Sequence, residues 1–283
     1  MARHDIPHDA GAPHMSFSSD WLALREPADG RARDSGLCRA LAAHLAAIQR
    51  TGGAGLAVDL GCGTGATHRA LAPLAPDLRW RLVDHDPALL AEAAARTGAE
   101  TLCADLAADP AAAVAGASLV TASALFDLAS ADWIDRLVAA LPRDAAVLAA
   151  LSYDGTETWE PAHEAEATGL AAFHAHQAGD KGFGASLGPR GAAYLAQALA
   201  AAGWSVRTAR SDWVLTAPRD AALITALADG STEAAAELGV MAPDLLAGWT
   251  QARRTATRVT VGHVDVLALP PEDRGLSPKT RSR

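Results

Sequence analysis

The sequence has 283 residues, of which 50% are hydrophobic, and a formal net charge of −9 at pH 7. Its length and apolar content suit one large α/β domain with insertions. The acidic balance disfavours a nucleic-acid partner, because such proteins present a basic face to the phosphates, and no apolar run approaches the roughly 20 residues of a membrane span.

Short apolar runs alternate with helical stretches along most of the chain, after a polar lead rich in His and Pro. The lead, residues 1–15, has no signal-peptide core and is predicted to be disordered, as is the basic tail 273–283. The predicted strands, in chain order, are 56–60, 80–84, 100–104, 118–122, 145–151, 204–210 (with a possible continuation to Leu215) and 257–269.

The predicted helices lie between these strands and carry recognisable end signals. The first spans 34–49 and is closed by Gly52 and Gly53, and the helix after strand two has Asp86 as N-cap, Pro87 in the first turn and Gly98 at its end. Other helices are expected after strand one up to Pro73, after Ser130, at 162–177, at 191–202 and within 219–255. This β-then-α rhythm predicts a seven-stranded, mainly parallel sheet with helices on both faces.

A glycine loop follows strand one directly, in the order Gly61-Cys62-Gly63-Thr64-Gly65. Glycines allow a tight turn and a close approach of the backbone to a ligand, and the following helix start offers free N–H groups. The loop alone also fits a dinucleotide site, since Gly61-x-Gly63-x-x-Ala66 is its looser form.

Three aspartates accompany the loop at the carboxyl ends of predicted strands, where open α/β sheets bind ligands. Asp59 precedes the loop, Asp84 ends strand two and Asp105 follows strand three. A carboxylate at Asp84 can accept two hydrogen bonds from ribose hydroxyls, and the neighbouring Asp86 is a rival for this role. A carboxylate at Asp59 argues against a dinucleotide, because it would repel a pyrophosphate.

These motifs resemble those of the class I S-adenosylmethionine (SAM)-dependent methyltransferases, which have an acidic residue before G-x-G-x-G and a V-D-x-D/S-P run like 83–87. The resemblance implies that Asp59 holds the loop and the cationic methionine end of SAM, that Asp84 holds the ribose, and that Asp105 and Leu106 bind the adenine. It implies SAM as cofactor and S-adenosylhomocysteine as product. The expected cofactor-binding residues are Asp59, Gly61, Cys62, Gly63, Gly65, Asp84, His85, Asp105, Leu106 and Ser123.

The same resemblance implies a Rossmann-like fold with an antiparallel last strand and a lid formed by an insertion after strand five. The methyltransferase domain is then 16–272, with its core at 34–152 and 191–272 and the lid at 153–190. The chain is also similar to bacterial methyltransferases of undefined substrate, through WLALREPAD at 21–29, TASALFDL at 121–128, DKGFG at 180–184 and VGHVD at 261–265.

The expected acceptor is a small molecule methylated at an O, N or C nucleophile. Within the resemblance, the N/D-P-P-Y/F run of the enzymes that methylate planar amino groups of bases or glutamine is replaced by Thr121-Ala122-Ser123-Ala124. The cysteine nucleophile of the cytosine C5 enzymes is also missing there. Candidate bases or acceptor-orienting residues are His176, His174 and Tyr153, although a helical histidine can equally be a packed or solvated residue.

Further residues are candidates for acceptor binding because the resemblance places their segments over the pocket. Arg25 or Arg33 would pair with an acidic group on the acceptor, or else lie on a solvated surface. The expected substrate-binding residues are Trp21, Arg25, Asp127, His163, Gln177, Asp180 and Lys181.

The cysteines indicate in which redox compartment the protein works and whether it has a metal site. Cys38, Cys62 and Cys103 form no C-x-x-C pair, which predicts reduced thiols in a cytoplasmic protein without a metal site. No membrane or nucleic-acid partner is expected, and the sequence leaves the oligomeric state open. Two other functions stay open: a nicotinamide-dependent oxidoreductase on a related fold, and a SAM-binding protein without catalytic activity.

Overall fold

The computed structural model describes residues 17–49 and 55–271. The predicted disordered lead 1–15, the tail 273–283 and the helix end at Gly52 and Gly53 lie outside the described residues. No helix within the described ranges is both long and apolar enough to cross a bilayer.

Eight strands form one mixed sheet in the described part of the chain, in the order β3-β2-β1-β4-β5-β8-β6, with β7 also paired to β8. Neighbours among β1 to β5 run parallel, while β8 is antiparallel to β5, β6 and β7. This confirms the predicted mainly parallel sheet with an antiparallel last strand. The strands are β1 Leu56–Leu60, β2 Arg79–Asp84, β3 Glu100–Cys103, β4 Leu119–Ser123, β5 Ala146–Glu160, β6 Ser205–Arg210, β7 Trp213–Thr216 and β8 Arg258–Leu269.

Helices cover both faces of the sheet, because alternate strand residues point to opposite sides. Ala57, Leu82 and Leu148 pack with α2, α3 and α4 on one face, while Val58 and Val147 pack with α5, α6 and α8 on the other. The described helices are α1 Ser19–Ala32, α2 Ser35–Gln49, α3 Ala66–Leu71, α4 Pro87–Thr97, α5 Pro110–Val114, α6 Ala131–Ala140, α7 Glu166–Gln177, α8 Gly191–Ala201, α9 Ala221–Leu238 and α10 Pro243–Arg254.

Local end signals place α4 and α6 as predicted. The Asp86 carboxylate accepts hydrogen bonds from the N–H groups of Ala88 and Leu89, and Gly98 ends α4 with φ of 68°. The Ser130 hydroxyl accepts from Trp133 N–H at the start of α6. These caps satisfy N–H groups that a helix end leaves unpaired, so the local sequence alone is enough to set the boundaries.

The sheet differs from the prediction beyond residue 152. Strand β5 continues to Glu160, where Glu160 pairs with Arg258, although 153–160 was predicted to leave the sheet as part of the polar insertion. The predicted sixth strand divides in two, because Ser211 and Asp212 interrupt it and β7 pairs with the first half of β8. The sheet therefore has one strand more than predicted. A polar strand is stabilised by its partner, and β8 lies about a hundred residues away in the sequence.

Helix α1 was not predicted as a helix. Its apolar residues do not form the single stripe that predicts an amphipathic helix, and in the structure they contact two separate regions. Leu22 reaches the glycine loop. The residues that pack in the core formed with β7 and α9 are Trp21, Leu24 and Ala28. The Ser18 hydroxyl caps its first turn. Helix α1 thus connects the glycine loop with the core formed by β7 and α9.

Candidate cofactor-binding site

A cleft opens at the carboxyl ends of β1 to β4, where the prediction placed the ligand. Its walls come from the glycine loop, the strand ends, α1 and the turn before α8. The lining residues are Phe17, Leu22, Arg25, Gly61, Gly63, Asp84, His85, Leu89, Ala104, Asp105, Leu106, Ser123, Ala124, Leu125, Leu128, Lys181 and Phe183.

The glycine loop needs glycine at the positions facing the cleft. Gly61 and Gly63 have φ of 62° and 51°, in the left-handed region that side-chain-bearing residues avoid. A Cβ on Gly63 would lie 2.8 Å from Cδ1 of Leu22 in α1. The loop backbone is therefore exposed to the cleft on one side and closed by α1 on another.

Asp84 ends β2 and fastens the loop. Its Oδ2 accepts a hydrogen bond from Gly63 N–H at 2.9 Å, and its Oδ1 accepts one from Asp86 N–H at 3.1 Å. The side chain lines the cleft. Each carboxylate oxygen can accept more than one hydrogen bond, so Asp84 retains acceptor capacity for a ligand hydroxyl.

Asp59 lies beneath the loop rather than in the cleft wall. It is fully buried, its Oδ1 accepts a hydrogen bond from the Thr121 hydroxyl at 2.6 Å, and its Oδ2 accepts none from the described residues. Burial raises the pKa of Asp59 from 3.8 to about 7, against the opposing effects of the Thr121 hydrogen bond and the Arg33 charge.

This raised pKa predicts a pH-dependent effect of the substitution Asp59→Asn. The native state holds the Asp59 proton more tightly than the unfolded state, so the contribution of Asp59 to the free energy of unfolding falls as pH rises from about 4 to about 7. The asparagine variant lacks this loss. Its free energy of unfolding, relative to wild type, should therefore increase between pH 5 and pH 7 in denaturant titrations. If the difference in free energy of unfolding between variant and wild type stayed constant from pH 5 to pH 7, the raised pKa of Asp59 would be contradicted.

The third aspartate, Asp105, lines the cleft beside Leu106. Asp105 Oδ1 also accepts a hydrogen bond from Ala107 N–H at 2.9 Å. Trp133 Nε1 donates to the Leu106 carbonyl at 2.6 Å, and the ring of Phe183 packs on the Trp133 ring at a centroid distance of 5.0 Å. This end of the cleft is thus apolar with one carboxylate at its edge.

Among the residues predicted to bind the acceptor, the structure brings Arg25 and Lys181 to the cleft. Arg25 is held by Asp29, with Nε–Oδ2 at 3.0 Å, and stacks over the Trp213 ring. Asp127 is buried, and burial raises its pKa to about 6 against the lowering effect of the Arg25 charge.

The other predicted acceptor residues do not line the cleft. Trp21 packs in the core under α1. His163 Nδ1 accepts from Ala165 N–H before α7, and Asp180 Oδ1 accepts from Gly182 and Gly184 N–H. Gln177 is at the end of α7. Their predicted contact with an acceptor stays a prediction.

Two of the three candidate bases contact each other, and the third lies against a different helix. Tyr153 Oη and His174 Nε2 are 3.0 Å apart. Burial, with the nearby Glu157, raises the pKa of Tyr153, so the phenol stays protonated. His176 Nε2 instead pairs with Glu237 of α9 at 3.1 Å. None of the three lines the cleft.

Several cleft residues were not singled out from the sequence. Four of the apolar ones, Leu22, Leu125, Leu128 and Phe183, stand inside segments that carried the second resemblance, which is the only signal that pointed to them. Arg33 was a candidate for acceptor binding, but its hydrogen bond to Ser123 was not predicted. The hydrogen bonds from Thr67 to Ser123 and from Thr121 to Asp59 were not predicted either.

The predicted cofactor residues occupy two layers. Those facing the cleft are Gly61, Gly63, Asp84, His85, Asp105, Leu106 and Ser123. The side chains of Asp59 and Cys62 are buried beneath the loop backbone, and Gly65 is the N-cap residue of α3. An elongated nucleoside with a charged end fits this arrangement, since carboxylates that accept hydrogen bonds and an apolar wall lie at the β2–β3 end, and buried polar atoms lie at the β1–β4 end.

Comparison with known proteins bears on the fold. No protein-family model matches the sequence, and no curated protein matches it significantly. A protein from Bacillus halodurans C-125, provisionally described as a methyltransferase, superposes with a TM-score of 0.50 at 14% identity, over 80% of this chain and 98% of that one. The two chains share a fold.

Two further solved structures superpose less well. A cyclopropane-fatty-acyl-phospholipid synthase-like protein from Lactobacillus casei ATCC 334 gives a TM-score of 0.46 at 15% identity, over 87% of this chain and 99% of that one. The cyclopropane synthase MmaA2 from Mycobacterium tuberculosis gives 0.45 at 16% identity, over 90% of this chain and 96% of that one.

Proposed function

We propose that this protein is a SAM-dependent methyltransferase acting on a small molecule. The observation that carries the proposal is the cleft wall: a left-handed glycine loop fastened by Asp84, with Asp59 below it and Asp105 at the next strand end. The shared fold with a protein described as a methyltransferase supports it.

Different residues are expected to bind the different parts of SAM. Asp84 is expected to accept the ribose hydroxyls, and Asp105 and Leu106 to hold the adenine. Phe183 adds an apolar contact at that end. When bound, SAM supplies an electrophilic methyl group with a good leaving group, so the chain's own task is to align the acceptor and exclude water.

The acceptor side of the proposal rests on Arg25 and Lys181, which line the cleft, and on α1, which covers it. Lys181 and Phe183 belong to the part of 153–190 that follows β5, and their position in the cleft wall supports a lid role for residues 161–190. We expect an O, N or C nucleophile. The candidate bases stay a prediction: Tyr153 and His174 contact each other, His176 pairs with Glu237, and none of the three lines the cleft.

Calorimetric titration with S-adenosylhomocysteine and with NADH tests the cofactor. Binding of S-adenosylhomocysteine without binding of NADH is the expected result. The reverse outcome would favour a nicotinamide-dependent oxidoreductase and overturn the proposal.

Turnover needs a separate experiment, because cofactor binding is also expected of a non-catalytic SAM-binding protein. The purified protein is incubated with methyl-labelled SAM and small-molecule extracts, and labelled product is expected. Binding of the cofactor with no labelled product from any extract would favour the non-catalytic alternative.

A further inference from the structure

Arg33 lies in the junction between α1 and α2 and contacts a residue of the cleft wall at its β4 end. Its Nη2 donates a hydrogen bond to Ser123 Oγ at 3.0 Å, and Ser123 lines the cleft. Its Nε is buried and has no hydrogen-bond partner among the described residues. Because this Nε faces protein, what Arg33 can offer a ligand is its positive charge and its Nη groups beside Ser123.

Ser123 has a donor left over. Its Oγ accepts from Thr67 Oγ1 at 3.1 Å as well as from Arg33. A hydroxyl that accepts two hydrogen bonds still has its own O–H to donate. Arg33 and Ser123 together therefore offer positive charge and hydrogen-bond donors, which is the chemistry of a carboxylate site.

The backbone beside Arg33 is fixed by a buried carboxylate. Asp265 of β8 is fully buried, and it accepts hydrogen bonds from Asp34 N–H at 2.8 Å and from Leu151 N–H at 2.7 Å. Leu151 has φ of 57° and lies where the β5–β8 register shifts. Asp265 thus ties the α1–α2 junction to the sheet at this irregularity, so Arg33 is anchored in place.

The sheet order decides which end of the cofactor meets Arg33. The strands run β3-β2-β1-β4, so Asp105, Asp84 and Ser123 follow one another across the cleft. Neighbouring strands are about 4.8 Å apart, which gives about 14 Å from β3 to β4. With adenine at β3 and ribose at β2, the amino-acid end of SAM would lie at β1 and β4.

We propose that Arg33 and the Ser123 hydroxyl bind the carboxylate of the amino-acid end of SAM. This assigns Arg33 to the cofactor instead of to an acidic group on the acceptor, and it rests on the proposed function.

Calorimetry with three ligands tests the proposal. They are S-adenosylhomocysteine, its analogue without the carboxylate (5′-deoxy-5′-(3-aminopropylthio)adenosine), and 5′-methylthioadenosine, which lacks the whole amino-acid end. In wild type, S-adenosylhomocysteine should bind at least about tenfold more tightly than the analogue without the carboxylate. This comparison needs no variant, so it holds even if a substitution impairs folding.

The variant Arg33→Met should lose at least about tenfold in affinity for S-adenosylhomocysteine while its affinity for 5′-methylthioadenosine stays unchanged. Arg31→Met is the matched control, because Arg31 pairs with Asp220 outside the cleft lining. It should leave both affinities at the wild-type value.

Two results would overturn the inference alone: equal affinity of wild type for the ligands with and without the carboxylate, or an equal loss of both ligands in Arg33→Met. Wild type that binds none of the three ligands would overturn the proposed function and this inference with it.

Discussion

Replacing Asp84 with alanine is expected to lower the affinity for S-adenosylhomocysteine by more than about tenfold. A charge-assisted pair of ribose contacts contributes about 1.5–3 kcal/mol. The same substitution also leaves Gly63 N–H and Asp86 N–H without their acceptor, so the loop that approaches the ligand is loosened. The two losses act in the same direction. Calorimetric titration of wild type and variant measures the result.

Asp86→Ala is the matched control for Asp84→Ala. The Asp86 side chain caps α4 through Ala88 and Leu89 and does not line the cleft. Its removal should lower the free energy of unfolding by about 1 kcal/mol and change the affinity little. If Asp86→Ala weakened binding as strongly as Asp84→Ala, the two aspartates would have been assigned to the wrong roles.

Replacing Arg253 with methionine is expected to lower the free energy of unfolding by about 3–5 kcal/mol, because the Glu157 side chain, 8% exposed, and the Glu166 side chain, 22% exposed, then lose their counter-charge. Arg253 is 1% exposed. Its Nη2 lies 2.7 Å from Glu166 Oε2 and 3.4 Å from Glu157 Oε2, and its Nη1 donates to Ser231 Oγ at 2.9 Å. Denaturant titration measures the change.

The aromatic rings around Arg253 add to this cost. The guanidinium lies 4.2 Å from the ring centre of Trp159 and 4.3 Å from that of Trp249, one on β5 and the other on α10. Desolvated cation–π contacts of this kind contribute about 2 kcal/mol. One side chain therefore joins α7, α9 and α10 to the outer half of β5.

The neighbouring Arg254 provides a control in the same helix. It pairs with Asp229 at 2.6 Å, and its side chain is 46% exposed. Exposed ion pairs contribute little because water screens them, so Arg254→Met should be close to wild type. Equal destabilisation by the two substitutions would show that α10 is sensitive to any change, and that the buried cluster is not the cause.

The structure around the glycine loop and the ends of β2 and β3 could be predicted from local sequence patterns. Strand β1 has the predicted bounds, and the cap residues Asp86 and Ser130 act as expected. The carboxyl ends of parallel strands meet at one edge of the sheet, so the positions of Asp84 and Asp105 in the sequence were enough to place them together.

The part of the chain after residue 152 was less predictable. Polar residues in 153–160 indicated an insertion, yet they form a strand because β8 pairs with them. Trp159 and Trp249, which are 90 residues apart in the chain, enclose Arg253. His174 and His176 were alternative candidates in the sequence, and only the packing of α7 put His174 against Tyr153 and His176 against Glu237.

The sequence by itself determined strands β1 to β4, the glycine loop and the carboxylates beside it, because each depends on residues close together in the chain. The tertiary structure alone decided that α1 covers Gly63, that Asp265 fixes the α1–α2 junction and that Arg33 reaches Ser123. These contacts join segments up to 231 residues apart. Their free energy comes from burying and pairing groups that meet only once the sheet has formed, so no local pattern encodes them.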